Sequence, residues 1–281
     1  NSAIQTKIHV KQFFNSTETL DQLISTNMSI ARFGDGEFSL IDGISFDFQK
    51  ASKKLSQELL QVLQSRKNKN IMIGIPNCLF STSHLVPISK NYWEQYIDSH
   101  QKQLNRLIDT KLTYFDASMT RPYIDYKNKT FAIQHFEKMK QLWDKKEIVI
   151  IEGLYSKVGV GNDLFENAKS IERIIGPHKN AYDVIDEIEK EVRKQPKDKL
   201  FILALGPTAT VLAYRMSKLG YRALDMGHFD IEYEWMKMKA TEKVQIPGKM
   251  VFEAKGEKYI SQTSENEKAY KNQIISTILL K

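Results

Sequence analysis

Cysteine is nearly missing: Cys78 is the only one in 281 residues. One thiol excludes an intrachain disulfide and a cysteine-based zinc site. No apolar run approaches the roughly 18 residues of a membrane span. The start, Asn1-Ser2-Ala3-Ile4, lacks the basic-then-apolar pattern of a signal peptide. It also lacks an initiator methionine, so a trimmed N-terminus is expected. These absences favour a cytoplasmic protein with no transmembrane segment. No Arg/Lys block and no aromatic RNP-like motif occurs, which argues against nucleic acid as a partner. Two nucleotide signatures are missing as well. No Gly-Lys-Ser/Thr closes a Walker A loop, and Gly159-Val160-Gly161 has no third glycine at the dinucleotide-binding spacing. With no internal repeat and no low-complexity linker, residues 1–281 are expected to form one domain.

What is present is a globular composition, 41% hydrophobic and 27% charged, in a chain long enough to bury a substantial core. Lys and Arg number 41 against 34 Asp and Glu, a net charge of +7. That balance suits an anionic ligand such as a nucleotide, although most of the lysines read as solvated surface.

The apolar pattern predicts alternating strands and helices, hence an α/β, Rossmann-like fold with a mostly parallel sheet flanked by helices. Strands are expected at Met28–Phe33, Ile71–Ile75, Leu112–Phe115, Glu147–Gly153, Leu200–Leu205 and Tyr221–Met226. Helical spacing marks Thr17–Thr26, Ala51–Arg66, Tyr92–Asp109, Phe131–Trp143, Leu164–Ile175, a helix capped by Asn180 and running to Arg193, and Val211–Leu219. Residues 1–15 read as an irregular lead-in. A C-terminal flap and tail cover 237–281, with an extended flap at Val244–Phe252 and a closing helix at Ala269–Lys281.

The strand ends carry the chemistry. In a parallel sheet, ligands bind outside the carboxyl ends of the strands. The first strand ends in Gly34-Asp35-Gly36-Glu37, whose two carboxylates are the hard oxygen donors preferred by Mg²⁺ or Mn²⁺. An ordinary solvated turn is the competing reading. Arg121, held extended before Pro122, suits a phosphate, or equally a surface ion pair. The Gly159–Asp163 loop between a strand and a predicted helix offers amides to an anion through Gly161, Asn162 and Asp163, or serves only as a cap. Gly206-Pro207-Thr208 opens another helix and is a second phosphate or ribose candidate. His228, Asp230, Glu232 and Glu234 crowd the segment after the last central strand, where a charged helix start would also explain the acids. Converging on one edge, these loops would make a metal-assisted nucleotide site.

Five segments together resemble the glycosyltransferases of the GT-D fold, a bacterial family first described as a domain of unknown function. They are Arg32-Phe33-Gly34-Asp35-Gly36-Glu37, Thr120-Arg121-Pro122-Tyr123, Gly159-Val160-Gly161-Asn162-Asp163-Leu164-Phe165, Leu205-Gly206-Pro207-Thr208-Ala209-Thr210, and the run from Asp225 to Trp235. They cover a motif-bearing core of about 28–236. The resemblance implies a UDP-sugar donor and a divalent metal, Mn²⁺ or Mg²⁺, at Asp35 and Glu37. It implies nucleotide-sugar contacts from Arg32, Gly34, Arg121, Gly161, Asn162, Asp163, Gly206, Pro207 and Thr208. Some members glycosylate serine-rich repeat adhesins. The expected reaction is therefore transfer of a hexose, glucose first, to a glycan on a protein, with inversion. Glu234 is the expected base, with Asp230, Glu232 and His228 as rivals for the catalytic role. A metal-dependent phosphohydrolase and a silent nucleotide-sugar or glycan-binding module are the alternatives.

Overall fold

A computed structural model describes residues 8–66, 68–254 and 265–281. The lead-in before residue 8, Lys67 of the basic tract, and the flap-to-tail junction at 255–264 lie outside the described residues. Among the described residues nine strands form one sheet: β1 (Gln12–Phe13), β2 (Ser29–Arg32), β3 (Ile71–Ile75), β4 (Thr113–Asp116), β5 (Glu147–Gly153), β6 (Ser170–Gly176), β7 (Leu200–Ala204), β8 (Arg222–Asp225) and β9 (Ile274–Thr277). Their order is β1-β4-β3-β2-β8-β7-β5-β6-β9, and every pairing between named strands is parallel. The chain builds outward from β2 to β4, then returns on the other side. The order reverses between β2 and β8, the place where open parallel sheets bind ligands.

The apolar runs of β5 and β7 follow from burial on both faces. Val149, Ile151, Phe201 and Leu203 enter one core layer, while Ile148, Ile150, Leu200 and Ile202 enter the other. The first layer packs against α3 (Lys53–Leu63), α7 (Ile185–Arg193) and α8 (Gly206–Lys218), through Leu55, Leu59, Ile185, Ile188, Leu212 and Met216. The second packs against α1 (Ser16–Ser25), α6 (Thr130–Met139) and α9 (Phe229–Lys237), through Leu20, Leu23, Phe136, Met139, Phe229 and Tyr233. Burying one such Leu or Phe side chain contributes about 1.5–3 kcal/mol.

Several local expectations change. Residues 164–175 are not helical: 164–169 is a run of turns and bends, and 170–176 is β6, paired residue for residue with β5. Ile171, Ile174 and Ile175 are β-branched and suit a strand. Gly176 ends that strand. Asn180 does not cap a helix with its side chain. It sits at φ +54°, and its Oδ1 accepts from the Lys50 amide, 2.8 Å away. The long helix expected at 92–109 begins at Pro87 and breaks at His100 into α4 (Pro87–Ser99) and α5 (Gln101–Leu107). The tail is α10 (Glu265–Gln273) followed by β9, because Ile274-Ile275-Ser276-Thr277 meets the free edge of β6. The lead-in contributes β1, a two-residue edge strand beside β4.

Candidate active site

The carboxyl ends of β2 to β8 surround one cleft of about 1200 Å³. Its wall includes Gly34, Asp35 and Glu37 after β2, Ser118 and Arg121 after β4, Gly153 and Ser156 after β5, Pro177 and His178 after β6, Gly206 to Thr208 after β7, and Gly227, His228 and Asp230 after β8. The 241–254 segment supplies the opposite wall through Lys243, Phe252 and Glu253.

At the centre, Arg32 ties β2 to β8. Its amide donates to Asp225 Oδ2 at 2.9 Å, its Nε to the Asp225 carbonyl at 2.7 Å, and its Nη1 to the Ala117 carbonyl at 3.0 Å. Gly227, at φ +55°, is required beside it: a Cβ there would lie 2.1 Å from Arg32 Nη2. Arg32 thus lines the cleft but spends its donors as a strut. Thr210 Oγ1 braces the same junction, donating to the Arg32 carbonyl at 2.9 Å.

The Gly34-Asp35-Gly36-Glu37 segment is not a free turn. Gly34 is the N-cap of α2 (Asp35–Ile41), and Glu37 Oε2 accepts the Gly34 N–H at 2.9 Å. Residues two apart on a helix do not face each other, so Asp35 and Glu37 diverge although both line the cleft. Asp35 Oδ1 accepts from the Gly36 amide, and Oδ2 from the Tyr92 hydroxyl of α4. Burial and the nearby Asp225 carboxylate push the Glu37 carboxyl up to about 7. Among the described residues no group of three or more His, Cys, Asp or Glu forms a ready cation cage. Asp35 on the cleft wall is a hard oxygen donor that could hold a divalent ion, which would need its other ligands from elsewhere.

The α8 helix begins at the cleft with Gly206 at φ +54° and Pro207 in its first turn. Thr208 is buried, and its Oγ1 has no hydrogen-bond partner in the ligand-free protein. An orphaned hydroxyl beside free helix amides is a ready contact for an anion.

The acids after β8 separate because they lie on α9. Asp230 and Glu234, four apart, share a face, and Glu232 points elsewhere. Asp230 Oδ1 accepts from the Gly159 amide at 2.9 Å and Asn162 Nδ2 at 2.8 Å, and Oδ2 accepts from Lys249 Nζ at 2.7 Å. Glu234 Oε1 accepts from Asn162 Nδ2 at 2.8 Å and lies 3.3 Å from Lys249 Nζ. Glu234 therefore sits behind the cleft wall, not on it. Glu232 is fully buried, its Oε2 accepting from the Tyr123 and Ile124 amides at 3.2 and 2.9 Å. Burial lifts its carboxyl to about 7 against the pull of Arg121. His228 does line the cleft, its ring 6.1 Å from that of Phe48. Burial lowers its pKa, overcoming the opposing pull of Glu253.

The Gly159–Asp163 loop is likewise relocated. With no helix behind it, it offers no helix-start anion site. Asn162 serves the acids of α9, and Asp163 accepts from Tyr233 at 2.5 Å. Gly161, Asn162 and Asp163 do not line the cleft. Sequence reasoning missed Tyr92, His178, Lys243, Lys249 and Glu253 in their roles around the site. From the residues alone, Met236 to Lys258 reads only as basic, with an extended flap at Val244–Phe252, and the contacts it makes have no local signature.

A family model described as "Glycosyltransferase GT-D fold" matches residues 30–254. "Probable glycosyl transferase Gly" of Streptococcus gordonii is 36% identical over 261 residues, and "Glycosyltransferase GlyD" of Streptococcus pneumoniae serotype 4 is 35% identical over 266. Each match covers 93% of this chain, which spans 38% and 32% of those longer proteins. Among solved structures, "The highly conserved domain of unknown function 1792 has a distinct glycosyltransferase fold" is 35% identical, with a TM-score of 0.89 over 95% of each chain. "A New Glycosyltransferase (DUF1792) from Streptococcus sanguinis" is 34% identical, with a TM-score of 0.89 over 95% of this chain and 99% of that one. A parallel sheet with its cleft at the strand ends, and a family match running from β2 to the flap, place this chain in the GT-D glycosyltransferase family.

Proposed function

We propose that this domain transfers a hexose from a UDP-sugar to a glycan already carried on a protein. The observation that carries the reading is the start of α8, where Gly206 and Thr208, whose buried hydroxyl has no hydrogen-bond partner, line a cleft at the carboxyl edge of the sheet. Helix N-terminal amides and a free hydroxyl favour the diphosphate of a nucleotide donor. Glucose as the sugar, a serine-rich repeat adhesin-like acceptor and inversion at the anomeric carbon rest on the family resemblance.

A divalent ion, Mn²⁺ or Mg²⁺, fits this donor set, with Asp35 as the protein carboxylate best placed to hold it. When bound, it would offset charge on the leaving nucleoside diphosphate. The chain's own residues perform the remaining tasks. Arg32, Asp225 and Thr210 hold the β2–β8 junction so that the loops after both strands keep their spacing. Tyr92 orients the Asp35 carboxylate. Glu234 faces Asn162 and Lys249, and the three donors on Asp230 occupy its oxygens. His228 is left as the cleft-wall residue that takes the acceptor's proton, since burial keeps its imidazole neutral and a neutral ring accepts one.

The test is an assay with UDP-glucose and Mn²⁺, with and without a glycopeptide acceptor. Acceptor-dependent UDP release is expected. Acceptor-independent phosphate release would indicate a phosphohydrolase, and binding without turnover a silent module. A product with retained anomeric configuration would rule out the single displacement.

A further inference from the structure

An ion cluster joins the loop after β4 to the 241–254 segment on the opposite wall of the cleft. Arg121 Nη1 donates to Glu253 Oε1 at 2.7 Å, and Nη2 to Glu253 Oε2 at 2.9 Å. Lys243 Nζ donates to the same Oε2 at 2.6 Å. All three residues line the cleft, and their side chains keep between 26% and 37% of their exposure. A planar guanidinium fork gripping two oxygens, with an ammonium on one of them, is the arrangement that receives a phosphoryl group.

We infer that Arg121 and Lys243 form a phosphoryl-binding subsite that the chain's own Glu253 occupies while no donor is bound. The inference rests on the donor reading above and names how the donor must enter: its phosphoryl oxygens replace the Glu253 carboxylate.

Two further observations fit an exchangeable carboxylate. First, Arg121 also faces Glu232 at 3.8 Å and Asp125 at 3.4 Å, but those acids are fixed by other donors. Glu232 holds the backbone amides of Tyr123 and Ile124, and Asp125 accepts from Ser89 Oγ at 2.7 Å. The bonds of Glu253 are to the two cations on the cleft wall. Second, the segment carrying Glu253 is anchored by other residues. Ile246, Val251 and Ala254 are buried in the core. The Met250 amide donates to the Tyr155 carbonyl at 3.0 Å, and Trp235 Nε1 to the Val244 carbonyl at 2.9 Å. The Phe252 ring lies 4.1 Å from that of Phe48. The Glu253 side chain can therefore turn away while the backbone stays docked. The exchange swaps one anion for another, so neither cation is left uncompensated during binding. A ligand that must displace an internal competitor has an apparent Kd equal to its intrinsic Kd divided by the fraction of time the site is open.

The test is calorimetric titration of the whole chain with UDP, and separately with inorganic pyrophosphate, at fixed Mg²⁺. Glu253→Gln and Glu253→Ala are expected to tighten both ligands at least fivefold, and Arg121→Ala and Lys243→Ala to weaken them at least fivefold. In an Arg121→Ala background, Glu253→Gln is expected to tighten binding much less. Folded Glu253 variants that bind UDP and pyrophosphate no tighter than the wild type would overturn the inference. The wild type offers a test free of folding effects, a crystal soaked with UDP. A phosphoryl group between Arg121 and Lys243, with Glu253 turned away, is expected. A bound UDP beside an intact Arg121–Glu253 pair would overturn the inference. If pyrophosphate behaves as expected while UDP binds to no variant, the subsite stands and the UDP-donor reading fails.

Discussion

Two acidic segments follow the two central strands, and they end up in opposite states. Gly34-Asp35-Gly36-Glu37 follows β2, and His228 to Glu234 follows β8. Each places acids two residues apart, and each becomes the first turns of a helix. After β2, the helix start faces the cleft, so Asp35 stays half-buried with a tyrosine hydroxyl on one oxygen. After β8, the helix runs back against the protein. Asp230 and Glu232 are buried, and each acid of α9 is matched by an asparagine, a lysine or backbone amides. The same local pattern yields a cleft-facing carboxylate in one place and internal scaffolding in the other. Acid density along the chain thus says little about which acid meets substrate; the direction of the helix that carries it says more.

That contrast is open to attack by substitution, and the effects should fall in a clear order. Asp35→Ala is expected to cost about a thousandfold in metal-dependent turnover, the several kcal/mol a charge-stabilising site supplies. A variant within threefold of wild type at low metal would remove Asp35 from the site.

The second effect concerns stability. The folded pKa of Glu232, about 7, lies above its ordinary 4.5. The folded state therefore binds this proton more tightly, and the contribution of Glu232 to stability falls as pH rises from about 4.5 to 7, then levels off. The gap corresponds to about 3 kcal/mol. Urea melts at pH 5 and pH 8 should show a smaller loss in Glu232→Gln than in the wild type. Equal losses would mean that Glu232 is not held protonated.

His228→Asn is next, with turnover expected to drop about a hundredfold for lack of the proton acceptor, while UDP binding changes little. A drop confined to UDP affinity would make His228 a binding residue only. The smallest effect belongs to Glu234→Gln, which should stay within about threefold of wild type because an amide oxygen still accepts from Asn162. A hundredfold loss would return Glu234 to the reaction and erase the contrast between the two segments.

Parts of this architecture are readable from residue order. Leu200–Leu205 and Glu147–Gly153 announce central strands because side chains of both parities are apolar, as burial on two faces requires. The Gly206-Pro207-Thr208 opening of α8 is legible too, since proline and glycine have few other uses at that spacing. Ser170–Gly176 is not legible. Its isoleucines satisfy a helical stripe as well as a strand, and the open edge of β5 decided the matter. Nor could residue order show that Arg173 of this strand would be buried and paired with Glu152 at 2.7 Å. The Arg121–Glu253 pair joins residues 132 apart, and neither carries a local mark of the other.

The sequence by itself determined the parallel α/β class, the positions of most central strands, and the segments that would gather at their carboxyl ends, because periodicity and turn chemistry are local properties. Only the tertiary structure decided which gathered groups face the cleft. A helix turns each residue about 100° from the last, so whether a carboxylate meets ligand, lysine or backbone depends on what packs against that helix, here a flap arriving from far along the chain.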